Sequence, residues 1–175
     1  MRESDQGFAA FRNNIQSPVL KAIADHWDQV RGKQRTPSWD QFKPSRLGGH
    51  LSSVWAFDYD PGTDAFAGRL AGSNIMVGIG KSFAGAPLCD LHAPEIFALV
   101  QDYFRRVVTE PACCRWSGKL FRVDNREIEG ERIILPMGGE GSGRGVLGAS
   151  WYDYPVWRAP SRLALIHDIA EWCGL

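Results

Sequence analysis

Residues 113–152 read CCRWSGKLFRVDNREIEGERIILPMGGEGSGRGVLGASWY. Three runs of β-branched, aromatic and alternating apolar residues stand out, at 113–123, 128–136 and 146–152, and each reads as a strand. Asp124-Asn125-Arg126 separates the first two, and the glycine-rich stretch 138–145 separates the second and third. Connections this short leave no room for a crossover, so neighbouring strands must run antiparallel.

Upstream, Pro94 opens a helix that runs to about residue 109, with Ile96, Val100, Tyr103 and Val107 on one face and Leu99 and Phe104 beside it; Pro111 ends it. Residues 72–91 carry four glycines and Pro87 and read as short helical turns. Before them, 53–59 and 66–71 form a hairpin around the turn Asp60-Pro61-Gly62-Thr63-Asp64. Residues 44–51 hold a short helical piece. Residues 32–44 form a turn-rich connector, and the basic stretch in and beside it (Arg31, Lys33, Arg35, Lys43, Arg46) reads as a solvated linker rather than a phosphate track. A helix over 17–31 has Ser17 as N-cap, Pro18 at its first position and Gly32 as its stop; its stripe of Leu20, Ile23, Trp27 and Val30 must be buried. That burial is either on the sheet of its own chain or against a second copy, and a homodimer is the favoured version. Residues 1–16 are expected to be a flexible N-terminus. After Pro155 and Pro160, a last helix is expected over 161–173, burying Leu163, Ile166, Ile169 and Trp172. The fold class is α+β: a five-stranded antiparallel sheet with helices on one face, flanked by N- and C-terminal helices. One domain of 175 residues is expected, its core at 53–152.

Composition narrows the function classes. Twenty basic and twenty acidic residues cancel, which argues against a polyanion partner, so nucleic acid is not expected. No stretch approaches the roughly 18 apolar residues that span a bilayer, so no membrane partner is expected, and the polar opening Met1-Arg2-Glu3-Ser4-Asp5 leads into no secretory h-region. Adjacent Cys113 and Cys114 should point to opposite faces of their strand, Cys89 and Cys173 complete the set, and a reducing cytoplasm is the expected location.

The element order, two strands, helical connection, three antiparallel strands, is that of a PAS domain. Four segments also resemble one bacterial PAS-like family. Trp27 to Lys33 followed by Pro37 is similar to its opening "W..lRG...P"; FAGRLAGS, residues 66–73, is similar to its "fryRlvGt" strand. GKSFAGAPL, residues 80–88, resembles its "GrdltGrpl" loop, and IILPM, residues 133–137, its "lllPl" strand. The resemblance spans about residues 27–151 and implies a PAS fold, which senses small molecules or cofactors or mediates protein contacts and rarely catalyses. Where the family often has a tyrosine before the strand arginine, this chain has Gly68, and that difference is expected to open space on the sheet face.

Other constellations read more plainly. The glycines of 138–145 invite a phosphate-loop reading, but no Lys-Ser/Thr follows and Val146 begins a strand, so a hairpin tip is favoured. Cys89-Asp90-Leu91-His92 has no matched second set of ligands, so no metal site is expected. His92 precedes its helix, which disfavours haem ligation, and no cysteine sits in a flavin-adduct setting. Ser150 lies within a strand without the second glycine of a nucleophile elbow, and no catalytic triad is visible. Glu127, Glu129 and Glu131 read as the wet face of a hairpin. Trp55, Trp116 and Trp151, all in strands, read as core first and as pocket wall second.

The expected ligand site lies between the inner sheet face and the long helix: Phe66, Gly68 and Leu70 opposite Tyr103 or its neighbours, with Cys114, Trp116 and Ser150 closing the far side. Arg69 should point to the other face, and two roles stay open for it, structural ion pair or ligand clamp. The expected function is a sensory domain for a small molecule of unknown identity, without an assignable cofactor, that signals through a partner protein. A ligand-free interaction adaptor is the alternative, and a small enzyme using Arg69, His92 or Tyr103 the third reading.

Overall fold

In a computed structural model, residues 3–79, 82–123, 126–139, 143–153, 164–165 and 169–175 are described. Their elements follow in chain order. Helices α1 (Glu3–Asn14) and α2 (Pro18–Arg31) come first, then a 3-10 segment kinked at Gly48 (Pro44–Ser53), then the hairpin β1 (Val54–Asp60) and β2 (Ala65–Ala71). Helices α3 (Ser73–Ile79), α4 (Leu88–Leu91) and α5 (Pro94–Thr109) precede β3 (Ala112–Val123), β4 (Arg126–Met137) and β5 (Gly145–Tyr152). Two further strands, β6 (Ala164–Leu165) and β7 (Ile169–Gly174), close the described chain.

These strands make one antiparallel sheet of seven among the described residues, ordered β2-β1-β5-β4-β3-β6, with β7 also paired to β3. Alternation divides each strand between two cores. Val54 and Ala56 of β1, Ile133 and Leu135 of β4 and Leu147 and Ala149 of β5 meet α1 and α2. Trp55 and Phe57, Ile134 and Val146 turn the other way and meet α5. We call this second side the inner face.

Local chemistry explains the helices. The Ser17 side chain accepts from Leu20 N–H, Pro18 starts α2, and Gly32 ends it at φ +54°, a conformation that favours glycine. Leu20, Ile23 and Trp27 are fully buried within their own chain, and the Trp27 Nε1–H donates to the Pro136 carbonyl at 3.0 Å. The stripe is thus an intrachain contact, and a dimer through it would have to uncover all three side chains. Helix α5 is pinned to the β1–β2 turn, where Arg105 Nη2 meets Asp64 Oδ2 at 2.6 Å and Gln101 Nε2 donates to the Asp64 carbonyl at 3.0 Å.

Four expectations are corrected here. Residues Glu3–Asn14 form α1 instead of a flexible tail: Phe8 and Phe11 are buried, with the Phe8 ring 5.3 Å from Trp27. The expected C-terminal helix is replaced by strand: Cys173 lies opposite Cys113 and Trp172 opposite Cys114. The outer edge of β3 offers a row of unsatisfied amides and carbonyls, and a strand satisfies them where a helix would not. Residues 163 and 166 of that expected helix lie outside the described residues. The sheet therefore has seven strands instead of five, and helices cover both of its faces, α1 and α2 on one and α5 on the other.

Glu131 is the fourth correction. Its side chain is buried, not on a wet face, because it lies on the α2 side of β4. There its carboxylate accepts Gln16 N–H at 2.9 Å and Ser17 N–H at 2.7 Å, and it pairs with the buried Arg115 guanidinium. Helix α2 has no acidic residue in its first turn, so Glu131 supplies the negative charge that the amides at its start favour.

Candidate functional site

Two register pairs put Trp116 opposite Arg132 and Arg132 opposite Ser150, so β3, β4 and β5 present these side chains in a row on the inner face. The Ser150 hydroxyl accepts from two donors: Trp55 Nε1 at 3.0 Å and Arg132 Nε at 3.1 Å. Arg132 Nη2 donates to the Tyr152 hydroxyl at 2.8 Å. Two hydroxyls thereby orient the guanidinium, whose carbon lies 5.7 Å from the Trp55 ring and 5.4 Å from the Trp116 ring. Gly148 makes this arrangement possible, since a Cβ there would come within 2.1 Å of the Trp55 indole.

Helix α5 supplies the opposite wall. Tyr103 meets Trp116 edge-on at 4.9 Å and stacks on Trp172 of β7 at 5.1 Å, and Arg106 lies 4.0 Å over the same Trp172 ring. His92, just after α4, is half-buried, with Nδ1 3.3 Å from the Leu88 carbonyl. Burial first, and the nearby Arg132 charge second, push its pKa down to about 4, so the ring is neutral at pH 7. Burial raises the Tyr103 phenol, with Cys114 adding to the effect, and pushes the Cys114 thiol up to about 12. Near neutral pH the Arg132 guanidinium thus sits among hydroxyls, a neutral imidazole and aromatic rings, with the Arg106 guanidinium over the outermost ring.

Of the expected site residues, Tyr103, Trp116 and Ser150 come together here. Phe66 shares the inner face but sits toward the β2 edge, 5.4 Å from Phe104. Gly68 also faces inward, yet the space beside it is filled. A Cβ would lie 2.0 Å from the Phe83 carbonyl oxygen, and the Gly68 amide and carbonyl bond to Ala86 O and Gly85 N at 2.8 and 2.7 Å. The open space expected there is occupied by the chain that leads into α4.

Leu70 requires correction, and Arg69 takes one of the two roles left open for it, the ion pair. The β1–β2 register shifts between Ala56 and Phe57, so that Phe57 faces Gly68 but Ala56 faces Leu70. Arg69 is the extra residue of this bulge. Leu70 consequently crosses to the α2 side, and Phe66, Gly68 and Leu70 do not share one face. Arg69 bonds Asp58 at 2.9 Å and lies 4.5 Å over Trp39, an ion pair away from the inner face.

Arg132 was absent from the sequence-derived set. Its signal was available: Ile128, Arg132 and Ile134 share the parity of the inner face, and a cation in such a row is out of pattern. Toward the β2 edge, Trp55 and Phe104 stack at 5.5 Å and Phe57 and Phe83 lie at 4.9 Å, so rings occupy that end of the layer. Among the described residues, no group of three or more His, Cys, Asp or Glu is placed to hold a metal ion, and Cys113 and Cys114 point into opposite cores as free thiols.

A family model for the PAS domain matches residues 15–150. The chain belongs to the PAS domain family. No curated protein and no solved structure matches it. PAS domains are in general sensory or interaction modules without catalysis of their own, and the match begins at Ile15, taking α2 but not α1. Among the described residues of this PAS domain, no helix is long and apolar enough to cross a membrane.

Proposed function

We propose that this PAS domain is a small-molecule sensor whose ligand meets the inner face at Arg132, Tyr103, Trp116 and Ser150. In this reading the ligand carries a hydrogen-bond acceptor for the guanidinium and a planar body for the indole walls, and its occupancy is passed to a partner protein. The observation that carries the reading is Arg132. A guanidinium placed over two tryptophans and oriented by two hydroxyls is costly to desolvate, and core packing alone does not call for it. Small-molecule sites combine apolar walls with a few such placed polar groups.

Native mass spectrometry of the purified protein, beside a thermal-shift screen, tests this. The expected result is a retained molecule, or one that raises the melting point, lost in Arg132→Met while circular dichroism stays unchanged. Wild-type protein with no bound mass and no stabilising compound would reject it. The ring packing among Trp55, Phe57, Phe66, Phe83 and Phe104 favours the second reading, an interaction adaptor with a filled core. On that reading Arg132→Met changes stability but removes no ligand.

A further inference from the structure

On the α1–α2 side of the sheet, the register of β3 and β7 sets Cys113 directly opposite Cys173. Both side chains belong to one buried core, so they leave their strands on the same face. Directly opposite residues of an antiparallel pair have Cα atoms about 4.5–5.5 Å apart, within the roughly 4.4–6.8 Å that a disulfide bridges. Cys114 turns to the other core and Cys89 lies at the surface, so neither stands beside these two sulfurs.

One member of the pair is open to solvent. Cys173 is 8% exposed and lines a cleft of about 830 Å³ between α1 and β7. Gly7 of α1 stands over it without a side chain, and a Cβ there would lie 3.4 Å from the Cys173 Sγ. Cys113 is fully buried. Burial raises both thiols, Cys173 adds to the effect at Cys113, and the Arg31 guanidinium pulls both the other way. Arg31 is paired with Asp28 at 2.7 Å and lies 5.2 Å over the Phe8 ring, so dithiol, cation and α1 form one unit.

We propose that Cys113 and Cys173 form a reversible disulfide when a peroxide reaches Cys173 through this cleft. The Cys173 thiolate attacks one peroxide oxygen, the O–O bond breaks, and the departing hydroxide takes up the thiol proton as water, leaving a sulfenic acid. The Cys113 thiolate then attacks the Cys173 sulfur. The S–O bond breaks, the S–S bond forms, and hydroxide leaves with the second thiol proton as water. Two thiols thus lose two electrons and two protons, and the peroxide gains them. Only Cys173 has to meet the oxidant, so the burial of Cys113 is no obstacle. Closure draws the opposed Cβ atoms from about 4.5–5.5 Å to about 3.8 Å, which pulls the edge strand β7 toward β3 beneath α1. The bond is therefore a redox switch on the seat of α1, and it does not depend on the ligand reading of the inner face.

Hydrogen peroxide titrated onto the native full chain, followed by intact-mass and non-reduced peptide analysis, tests this. Wild type and Cys89→Ser should each lose the mass of two hydrogens and yield a fragment that joins Cys113 to Cys173, and a phosphine reductant should restore the mass. Cys113→Ala should instead gain the mass of one oxygen, as a Cys173 sulfenic acid that dimedone captures. Cys173→Ala should keep Cys113 reduced. The wild-type fragment decides the pairing without any variant. The proposal is overturned if that fragment joins another pair, if Cys113 and Cys173 stay reduced while Cys89 in the same sample is oxidised, or if Cys113 is oxidised as fast in Cys173→Ala as in wild type.

Discussion

A single methyl group at residue 68 would sit 2.0 Å from the Phe83 carbonyl oxygen, well inside van der Waals contact. The obstacle is backbone, and the residues just after it, Gly85 and Ala86, are hydrogen-bonded to Gly68 itself, so it cannot swing away as a side-chain tip would. Gly68→Ala should therefore lower stability by about 1–3 kcal/mol, measured by urea denaturation. Unchanged stability would mean that the 83–87 segment lies elsewhere. A tyrosine at the same position would disturb the fold itself, so only smaller changes there are informative. His92 gives a second residue-scale test. Its folded pKa, near 4, lies below the ordinary histidine value near 6.5. The unfolded chain therefore binds the proton first, and stability falls as pH drops from about 6.5 to about 4 by at most about 3 kcal/mol. Below that window both states are protonated and this contribution is constant. His92→Gln should flatten the dependence; an identical pH profile in the variant would place the ring in solvent.

Helix α1 is the element least visible from its own residues. Between Glu3 and Asn14 it offers two large apolar side chains, Phe8 and Phe11, which a solvent-exposed tail could equally carry. Their partners supply the reason to fold: Trp27 and Arg31 of α2, with the Arg31 guanidinium 5.2 Å over the Phe8 ring. Phe11→Ala should cost about 3–5 kcal/mol, as for a buried aromatic, and a loss below measurement error in calorimetry would return α1 to the status of a tail. By contrast α2 and α5 were legible because cap, proline and stripe agreed within each segment. The C-terminal strand was not, since Ile169 and Trp172 at a spacing of three fit a helix as well. Only the exposed edge of β3, more than fifty residues earlier, selects the strand. The β2 bulge left one local trace, a glycine inside a strand, which marks a bulge or a close approach; here it marks both. Of the inner-face cluster, Tyr103, Trp116 and Ser150 were readable from alternation and helical spacing. Leu70 was lost to the bulge, and Arg132 was overlooked because its neighbours Glu129 and Glu131 suggested a wet strand.

At the scale of the whole molecule, the two buried sheet faces do different work. The side facing α1 and α2 holds the Arg115–Glu131 pair, while the side facing α5 carries the Arg132 cluster and its rings. Removing one partner of a buried ion pair leaves the other charge uncompensated, so Glu131→Gln should cost about 3–5 kcal/mol. Arg132→Met, which gives up hydrogen bonds to the Ser150 and Tyr152 hydroxyls, should cost clearly less; equal losses by chemical denaturation would contradict this division. The Glu131 carboxylate has a kinetic consequence as well. Gln16 and Ser17 precede the first turn of α2, where amides ordinarily trade their protons with water freely. Here both amides are bonded to a side chain 115 and 114 residues further along. Deuterium should therefore enter these two linker positions only when β4 and α2 separate, making them slow reporters of the parting of helix and sheet.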